Sequence, residues 1–185
     1  SLPKFGEAPI SVSGIGEDFV DLTIRRVGKV TNEIFKNYVG DKLFLRGPYG
    51  NGFDIENYKN KEVVVVAGGT GLSPVRGIVE YFSNNSNDCE SMTLITGFKS
   101  PEDVLFKEDM KIWKKTMNLI LTVDTAPEGY EGNVGLVTKY IPELEIKSMD
   151  NVQVVVVGPP MMMKFTVLEF LKLGIKEENI WISQE

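Results

Sequence analysis

A glycine-rich segment directly after a strongly apolar run is the first part of this sequence suited to chemistry. Residues 63–67 are four valines and an alanine, typical of a strand buried on both faces, and residues 68–74 follow with the sequence GGTGLSP. Glycines allow a sharp turn and a close approach of phosphate to backbone N–H groups, and the positive end of a following helix favours an anion. The residues predicted to surround that anion are Gly69, Thr70, Gly71, Leu72 and Ser73. A tight turn without a ligand is the alternative, because the segment matches neither the G-x-G-x-x-G pattern nor a P-loop.

Three further predicted strands end in residues suited to ligand contact. Lys99 follows the second strand, Asp124 lies at the end of the third, and the turn after the fourth contains Gly158, Pro159 and Met161. The carboxyl ends of parallel strands meet at one edge of a sheet, where ligands of such sheets bind. A lysine there is suited to a nucleotide ribose or its phosphate, and a Gly-Pro-Pro turn offers a rigid floor for a planar ring. Each group also has a structural alternative, because a lone lysine is usually solvated and methionine commonly fills a core.

The spacing of apolar residues predicts the elements that position these groups. Residues 1–60 contain alternating segments typical of strands, separated by turns, and residues 61–185 alternate strand with helix. The predicted strands are residues 8–13, 19–24 and 42–46, then 63–67, 92–97, 118–124, 152–157 and 180–183. The predicted helices are a short one with Thr31 as its N-cap, then residues 74–82, 102–115, 134–141 and 161–173. We therefore expect an α/β fold with a doubly wound, parallel five-stranded sheet after a smaller β domain.

The composition excludes several classes of protein. The chain has 185 residues with 26 acidic and 20 basic side chains, a formal net charge of −6, one cysteine and no histidine. These counts exclude a Ser-His-Asp or Cys-His nucleophile system, an imidazole metal site, a cysteine-rich zinc site and an iron–sulfur cluster held by this chain's thiolates. The acidic balance argues against a nucleic-acid partner, and no apolar run reaches the ~20 residues of a membrane span. An enzyme of this composition would take its chemistry from a bound cofactor, with no catalytic side chain and no metal.

Three motifs together carry a resemblance to a known family. They are GPYG at residues 47–50, AGGTGLSP at residues 67–74 and GPPMM at residues 158–162. In their order and approximate spacing the chain resembles the ferredoxin–NADP reductase superfamily over essentially its whole length. Among the branches of that superfamily it is similar to the gamma subunit of sulfhydrogenases, to a subunit of anaerobic sulfite reductase and to the electron-transfer subunit of dihydroorotate dehydrogenase. The resemblance implies a flavin-binding antiparallel β-barrel, present only in part in residues 1–60, followed by an NAD(P)-binding α/β domain in residues 61–185.

The resemblance also implies where a flavin would bind. The family motif Arg-x-Tyr-Ser matches residues 8–11, so that Pro9, Ile10 and Ser11 carry over while an alanine replaces the arginine. The second family motif, Gly-x-x-Ser/Thr at the start of a short helix, matches residues 28–31. It assigns Gly28, Val30 and Thr31 to the flavin pyrophosphate at a helix N-terminus.

Two departures from the family pattern affect these assignments. The alanine at position 8 removes a partner of the flavin phosphate, and Val157 replaces the cysteine that precedes Gly-Pro-Pro in the family. Only about three strands are predicted before the α/β domain, although a closed barrel needs roughly six to remove its edges. We therefore expect FAD to bind weakly or not at all to this chain, and we expect the chain to be part of a longer protein.

The function implied by the resemblance is hydride transfer between NAD(P)H and FAD, with electrons passed to or from a partner subunit. That partner would carry an iron–sulfur cluster, which we expect only outside this chain. The start of the sequence has no signal-peptide pattern, and we expect a cytoplasmic protein. The alternatives are a non-catalytic nucleotide-binding or docking subunit of a redox complex and a structural subunit without a ligand.

Overall fold

The amino-terminal part contains one β-hairpin and one helix. The structure is a computed structural model that describes residue 2 and residues 4–183. The antiparallel strands and the helix are β1 (Val12–Ile15), β2 (Val20–Leu22) and α1 (Lys29–Asn37). Gly14 pairs with Asp21, and an irregularity of register lies between Val12 and Gly14. At that point the Ser13 hydroxyl donates to the carbonyl oxygen of Asp21 at 3.1 Å, which stabilises the bulged strand.

The predictions for residues 42–46 and for Thr31 are wrong, and the strand predicted over residues 8–13 is observed only at its end, as the start of β1. Residues 42–46 form no strand and join no sheet of the described chain, and the side chains of Phe44 and Leu45 are exposed. A strand forms where another segment pairs with its backbone groups, and the hairpin does not extend to this segment. Thr31 is not the N-cap of α1, because Gly28 holds that position and Thr31 is the third helical residue. Its Oγ1 accepts the N–H of Gly28 at 2.9 Å, so that it caps the helix from within the first turn.

Six parallel strands form the sheet of residues 62–183. The strands are β3 (Glu62–Gly68), β4 (Ser91–Phe98), β5 (Asn118–Val123), β6 (Asn133–Val134), β7 (Val152–Val157) and β8 (Ile180–Ser183). Their order across the sheet is β6-β5-β4-β3-β7-β8. The predicted α/β fold with a doubly wound parallel sheet is confirmed, and the short edge strand β6 is added to the five strands predicted.

Helices cover both faces of this sheet. They are α2 (Leu72–Asn84), α3 (Lys107–Thr116) and α4 (Pro160–Lys172). On one face the core includes Val65 of β3, Phe82 of α2 and Trp113 of α3. On the other face it includes Val66 of β3 and Phe170 of α4. All of β3 is buried, as expected for a central strand with helices on both sides. This rigid layer fixes the positions of the turns at its edges.

Two predicted helices differ from the observed elements because of local backbone geometry. Phe106 has a φ of 54°, so α3 begins only after it, whereas the prediction placed one helix over residues 102–115. Residues 134–141 contain the end of β6 and a 3₁₀ helix at Val137–Tyr140 rather than an α-helix. Between them Gly135 has a φ of 134°, and its N–H donates to the carbonyl oxygen of Val123 at 2.8 Å. That conformation is available to glycine and ends the helical periodicity.

Candidate functional site

The turns after β3 and β7 meet at the point where the order of strands in the sheet reverses. From β3 the chain proceeds outward to β4, β5 and β6, and then crosses to β7 on the other side of β3. The crevice beyond the carboxyl ends of two such strands is the usual ligand position in an open α/β sheet. Here Gly68 ends β3 and Gly158 follows β7, and a Cβ on Gly158 would lie 3.2 Å from the amide nitrogen of Gly68. The sequence therefore places glycines on both sides of this switch point.

The side chain of Met162 fills the space that these two glycines leave. A Cβ added to Gly68 would lie 2.4 Å from the Met162 Sδ, and one added to Gly158 would lie 2.8 Å from its methyl carbon. Met161, which is predicted with Gly158 and Pro159 to border a planar ring, is 60% exposed on α4. The side chain at the switch point itself is that of Met162. The sequence gives no signal for this choice, because consecutive methionines follow two prolines and the first turn of α4 determines which one points inward.

The turn of residues 69–71 is open to a ligand at its first residue. Gly69 has a φ of +56°, and a Cβ on it would meet no atom within 4 Å, so the turn is open to a ligand at this residue. Thr70 is half-buried, and Leu72 and Ser73 are buried in the first turn of α2. The Ser73 Oγ is buried without a hydrogen-bond partner among the described residues. The open space at Gly69 and the N-terminus of α2 directly after it fit the phosphates of a dinucleotide.

The ends of β4 and β5 remain hydrogen-bonded beyond the strands. The N–H of Asp124 donates to the carbonyl oxygen of Phe98 at 2.9 Å, and the N–H of Thr125 donates to that of Lys99 at 3.1 Å. Lys99 and Asp124 therefore lie side by side at the carboxyl edge of the sheet, and both are exposed. The structure brings together the two polar residues that the sequence predicts at these strand ends.

Two carboxylates that were not predicted as site residues, those of Glu102 and Asp103, follow Lys99 in the chain. The 3₁₀ helix Pro101–Asp103 follows Ser100, whose hydroxyl donates to Asp103 Oδ2 at 2.9 Å. Glu102 is exposed in the same 3₁₀ helix. Acidic residues at the end of the second strand of a dinucleotide-binding sheet commonly accept the hydroxyls of a ribose. The polar sequence after Lys99, Ser-Pro-Glu-Asp, is the signal that identifies them.

The residues predicted to hold a flavin lie at the start of β1 and at the start of α1. Ile10 and Ser11 are half-buried and Pro9 is exposed, all in irregular chain directly before β1. At α1 a Cβ on Gly28 would meet no atom within 4 Å, so the helix N-terminus is open at this residue. The Thr31 Oγ1 is already engaged, because it accepts the N–H groups of Val27 and Gly28, both at 2.9 Å.

Three cations lie near the N-terminus of α1. Arg25 and Arg26 precede the helix, and Lys29 is its first residue. All three side chains are exposed, and the Arg26 Nε donates to Asn32 Oδ1 at 3.0 Å. Together with the open helix N-terminus at Gly28 they fit an anion such as a pyrophosphate. The sequence signal for this cluster is the dipeptide Arg25-Arg26, which one residue separates from Gly28-Lys29.

A large cavity lies at the opposite, amino edge of the sheet. Its volume is about 580 Å³, and its lining includes Glu62, Met92, Asn118, Tyr140 and Lys147. The buried carboxylate of Glu62 accepts the backbone N–H of Lys147 at 3.1 Å and that of Ser148 at 2.8 Å. The carboxylate therefore holds the loop that leads into β7. This cavity is far from the glycine-rich turn along the strand direction, and the ligand position of the fold is at the other edge.

Comparison with known proteins identifies the relatives of this chain. Residues 65–167 match the family model described as "Oxidoreductase NAD-binding domain". Sulfhydrogenase 1 subunit gamma from Pyrococcus furiosus is 29% identical over 100% of this chain and 65% of its own length. Sulfhydrogenase 2 subunit gamma from the same organism is 33% identical over 98% of this chain and 67% of its own length. This chain therefore spans about two thirds of the length of these relatives.

A solved structure confirms the likeness of the fold. The ferredoxin reductase in carbazole 1,9a-dioxygenase superposes with a TM-score of 0.76 and 21% identity, over 94% of this chain and 54% of that one. The glycine-rich turn at the switch point and most of the parallel sheet lie within the matched residues 65–167. The chain belongs to the oxidoreductase NAD-binding domain family, within the ferredoxin–NADP reductase superfamily.

Proposed function

We propose that this chain is an electron-transfer unit that binds NAD(P)H at the carboxyl edge of its sheet. The bound nucleotide would transfer hydride to a flavin. The observation that carries the proposal is the turn at the switch point. It has open space at Gly69 and the N-terminus of α2 directly after it. These features suit a dinucleotide phosphate, and the family to which the chain belongs is named for binding NAD.

In this proposal the residues of the chain bind and orient the reactants. The backbone of residues 69–72 would hold the pyrophosphate of the nicotinamide nucleotide, and Pro159 with Met162 would border its ring. When bound, a nicotinamide supplies a hydride and a flavin accepts it, so the protein contributes position rather than a proton-transfer group. The absence of histidine from the sequence agrees with such a role.

The flavin site belongs to the same proposal. The open helix N-terminus at Gly28 and the N–H groups of the first turn of α1 would hold a flavin pyrophosphate. Thr31 would act indirectly, because its hydroxyl holds the backbone of Val27 and Gly28 in place. Residues 9–11 would contact the flavin from the segment before β1.

An iron–sulfur centre held by a partner subunit is the proposed electron acceptor or donor. The two Pyrococcus furiosus relatives are named as gamma subunits, that is, as members of assemblies. This chain has one cysteine, so its own thiolates do not suffice for a cluster that takes four. Within residue 2 and residues 4–183, no helix combines the length and apolar character needed to cross a membrane. A cytoplasmic location stays a prediction.

A reductase assay tests the proposed function. The chain is mixed with NADH and the artificial acceptor ferricyanide, with and without added FAD, and NADH oxidation is followed by its absorbance. We expect turnover that depends on FAD. NADH binding without turnover in the presence of saturating FAD would instead support the second candidate, a nucleotide-binding or docking subunit. That candidate is favoured by the short hairpin, which leaves apolar side chains such as Ile15 and Val39 exposed. No binding of NADH would contradict both functions.

A further inference from the structure

Arg76 joins the amino-terminal hairpin to the nucleotide-binding sheet. It lies on α2, in the helical turn after the glycine-rich segment, and its side chain is only 14% exposed. The Arg76 Nη1 donates to the carbonyl oxygen of Ser13 in β1 at 3.0 Å and lies 3.5 Å from Asp21 Oδ2 in the paired strand β2. One guanidinium therefore holds both strands of the hairpin against the helix that starts at the proposed phosphate site.

The same guanidinium is fixed from the other side by α3. The Arg76 Nε and Nη2 contact Asp109 Oδ2 at 3.1 Å and 2.9 Å, and Nη2 contacts Glu80 Oε1 at 2.7 Å. The guanidinium carbon lies 4.8 Å from the centroid of the Phe106 ring. Phe106 has the left-handed conformation that is uncommon for a bulky residue, and it directly precedes α3 as its N-cap. Contacts in several directions hold the guanidinium in a single orientation, for which a planar group with five donors is suited.

Gly14 supplies a second, independent observation. A Cβ on Gly14 would lie 2.7 Å from Asp21 Oδ2 and 2.8 Å from Arg76 Nη1. The buried Gly14 thus provides the space in which Arg76 reaches the hairpin. Both atoms are ends of side chains, so a methyl group at this position would displace the guanidinium and the carboxylate without striking backbone. We call Gly14, Asp21, Arg76 and Asp109 the Arg76 clamp.

We propose that Arg76 is a positioning residue that sets the approach of the nicotinamide to the flavin. This inference rests on the proposed function. Residues 9–11, assigned to the flavin, run directly into β1, and the turn assigned to the nucleotide runs directly into α2. The clamp fixes β1 on α2 and therefore fixes the separation of the two sites. Hydride transfer requires the reacting atoms within ~3.5 Å, and a displacement of about 1 Å can slow such a step ~100-fold.

Three variants and one matched control test the clamp in the full chain. Arg76→Met removes the guanidinium, Arg76→Lys keeps the charge without the planar fork, and Gly14→Ala displaces the contact sterically. Glu80→Gln is the control, because Glu80 contacts Arg76 from the same helix and not across the junction. Hydrogen exchange of the amides of residues 12–22 reports whether the hairpin is held. The dissociation constant of NADH reports on the nucleotide site. The kcat and KM of NADH oxidation, measured with saturating FAD, report on hydride transfer between the two ligands.

For Arg76→Met and Gly14→Ala we expect the hairpin amides to exchange at least about tenfold faster. In the unmodified chain the hairpin must break the clamp before it opens, and in these variants it does not. The exchange of residues 63–67 and the dissociation constant of NADH should change less than about twofold, while kcat falls ~10-fold to 100-fold at unchanged KM. Arg76→Lys should restore part of kcat, and Glu80→Gln should resemble the unmodified chain. If Arg76→Met does not fold, Gly14→Ala alone decides.

Two results would overturn the proposal. One is hairpin exchange that is unchanged in Gly14→Ala, because the clamp would then not hold the hairpin. The other is a loss of NADH affinity that parallels the loss of kcat, because Arg76 would then merely support the nucleotide site. An unmodified chain that shows no NADH oxidation would contradict the proposed function. The exchange of the hairpin amides would still decide whether Arg76 holds the hairpin.

Discussion

A Cβ atom placed on Gly71 would lie 2.6 Å from the carbonyl oxygen of Val157, the last residue of β7. Gly71 has no positive φ, and its conformation would suit any residue. The requirement for glycine therefore comes from close packing of the first turn of α2 against the end of β7. At Gly71 the turn therefore packs tightly against β7, whereas Gly69, two residues earlier, faces open space. The two glycines of one turn thus have different physical roles.

The first prediction is that Gly71→Ala destabilises the fold. The added methyl group forces α2 away from β7, and overpacking of this kind costs about 1–3 kcal/mol in the free energy of unfolding. Denaturant unfolding measures the change. The matched control is Gly77→Ala on the same helix, where a Cβ would meet no atom within 4 Å. This control should gain about 0.5–1 kcal/mol, because alanine favours a helix more than glycine does. Equal free energies of unfolding of the two variants would contradict the prediction, because they would show that the turn can move away from β7 without cost.

The second prediction is that Gly69→Ala weakens nucleotide binding. The open space at Gly69 is where a phosphate would approach the backbone, and a methyl group would occupy it. We expect the dissociation constant of NADH, measured by calorimetry, to rise about tenfold, which corresponds to ~1.4 kcal/mol. Gly174→Ala is the matched control, because Gly174 also has a positive φ and open space but lies after the far end of α4. Equal NADH affinities in both variants would identify the segment as a turn without a ligand.

The third prediction concerns the choice between NADH and NADPH. Residues 99–103, directly after β4, contain one cation, Lys99, against the carboxylates of Glu102 and Asp103, and Ser100 donates to Asp103. A 2′-phosphate would lose more by repulsion from two carboxylates than it gains from one exposed lysine, and recognition of phosphate favours arginine. NADH should therefore bind about tenfold more tightly than NADPH, a difference of ~1.4 kcal/mol.

Substitution of the two carboxylates checks the cause of this preference. Glu102→Gln combined with Asp103→Asn should raise the affinity for NADPH relative to that for NADH, because it removes the repulsion of the 2′-phosphate and also weakens the acceptors for the ribose hydroxyls of NADH. Lys99→Ala should change the affinity for NADH little. A clear preference of the unmodified chain for NADPH that disappears in Lys99→Ala would contradict the prediction.

Local sequence patterns predict the sheet and its carboxyl edge well. Four valines at residues 63–66 require burial on both faces, and the glycines after them require a turn, so that both features follow from short-range chemistry. The segment of residues 42–46 has an equally good strand pattern, but its conformation depends on a pairing partner elsewhere in the chain. Sequence periodicity does not contain that information.

The contacts of Arg76 and Met162 are likewise invisible to sequence patterns. Arg76 contacts Ser13, which is 63 residues away in the chain, and nothing in the local sequence of α2 distinguishes it from a solvated arginine. Met162 contacts Gly68 because of the rotation of α4 after its two prolines. Both are consequences of how elements pack, which is determined only when the whole core is assembled.

The last prediction is that the chain binds FAD weakly. Two strands are too few to cover an isoalloxazine ring, and a two-stranded hairpin is at best marginally stable by itself. Large apolar side chains around it are exposed, among them Ile15 at 80%, Val27 at 69% and Tyr49 at 74%. We therefore expect the purified chain to contain less than one flavin per chain by visible absorbance, and to retain NADH binding.

Gly28→Asp tests whether the residual FAD binds where the sequence motif indicates. A Cβ on Gly28 would meet no atom within 4 Å, and aspartate is a favourable N-cap, so this substitution should not lower the melting temperature. Its carboxylate would repel a pyrophosphate at the start of α1, and the dissociation constant of added FAD, measured by fluorescence titration, should rise about tenfold or more. NADH affinity serves as the internal control, because its site lies at the carboxyl edge of the sheet. A stoichiometric flavin in the unmodified chain would refute the prediction of weak binding, and FAD affinity unchanged by Gly28→Asp would place the flavin elsewhere.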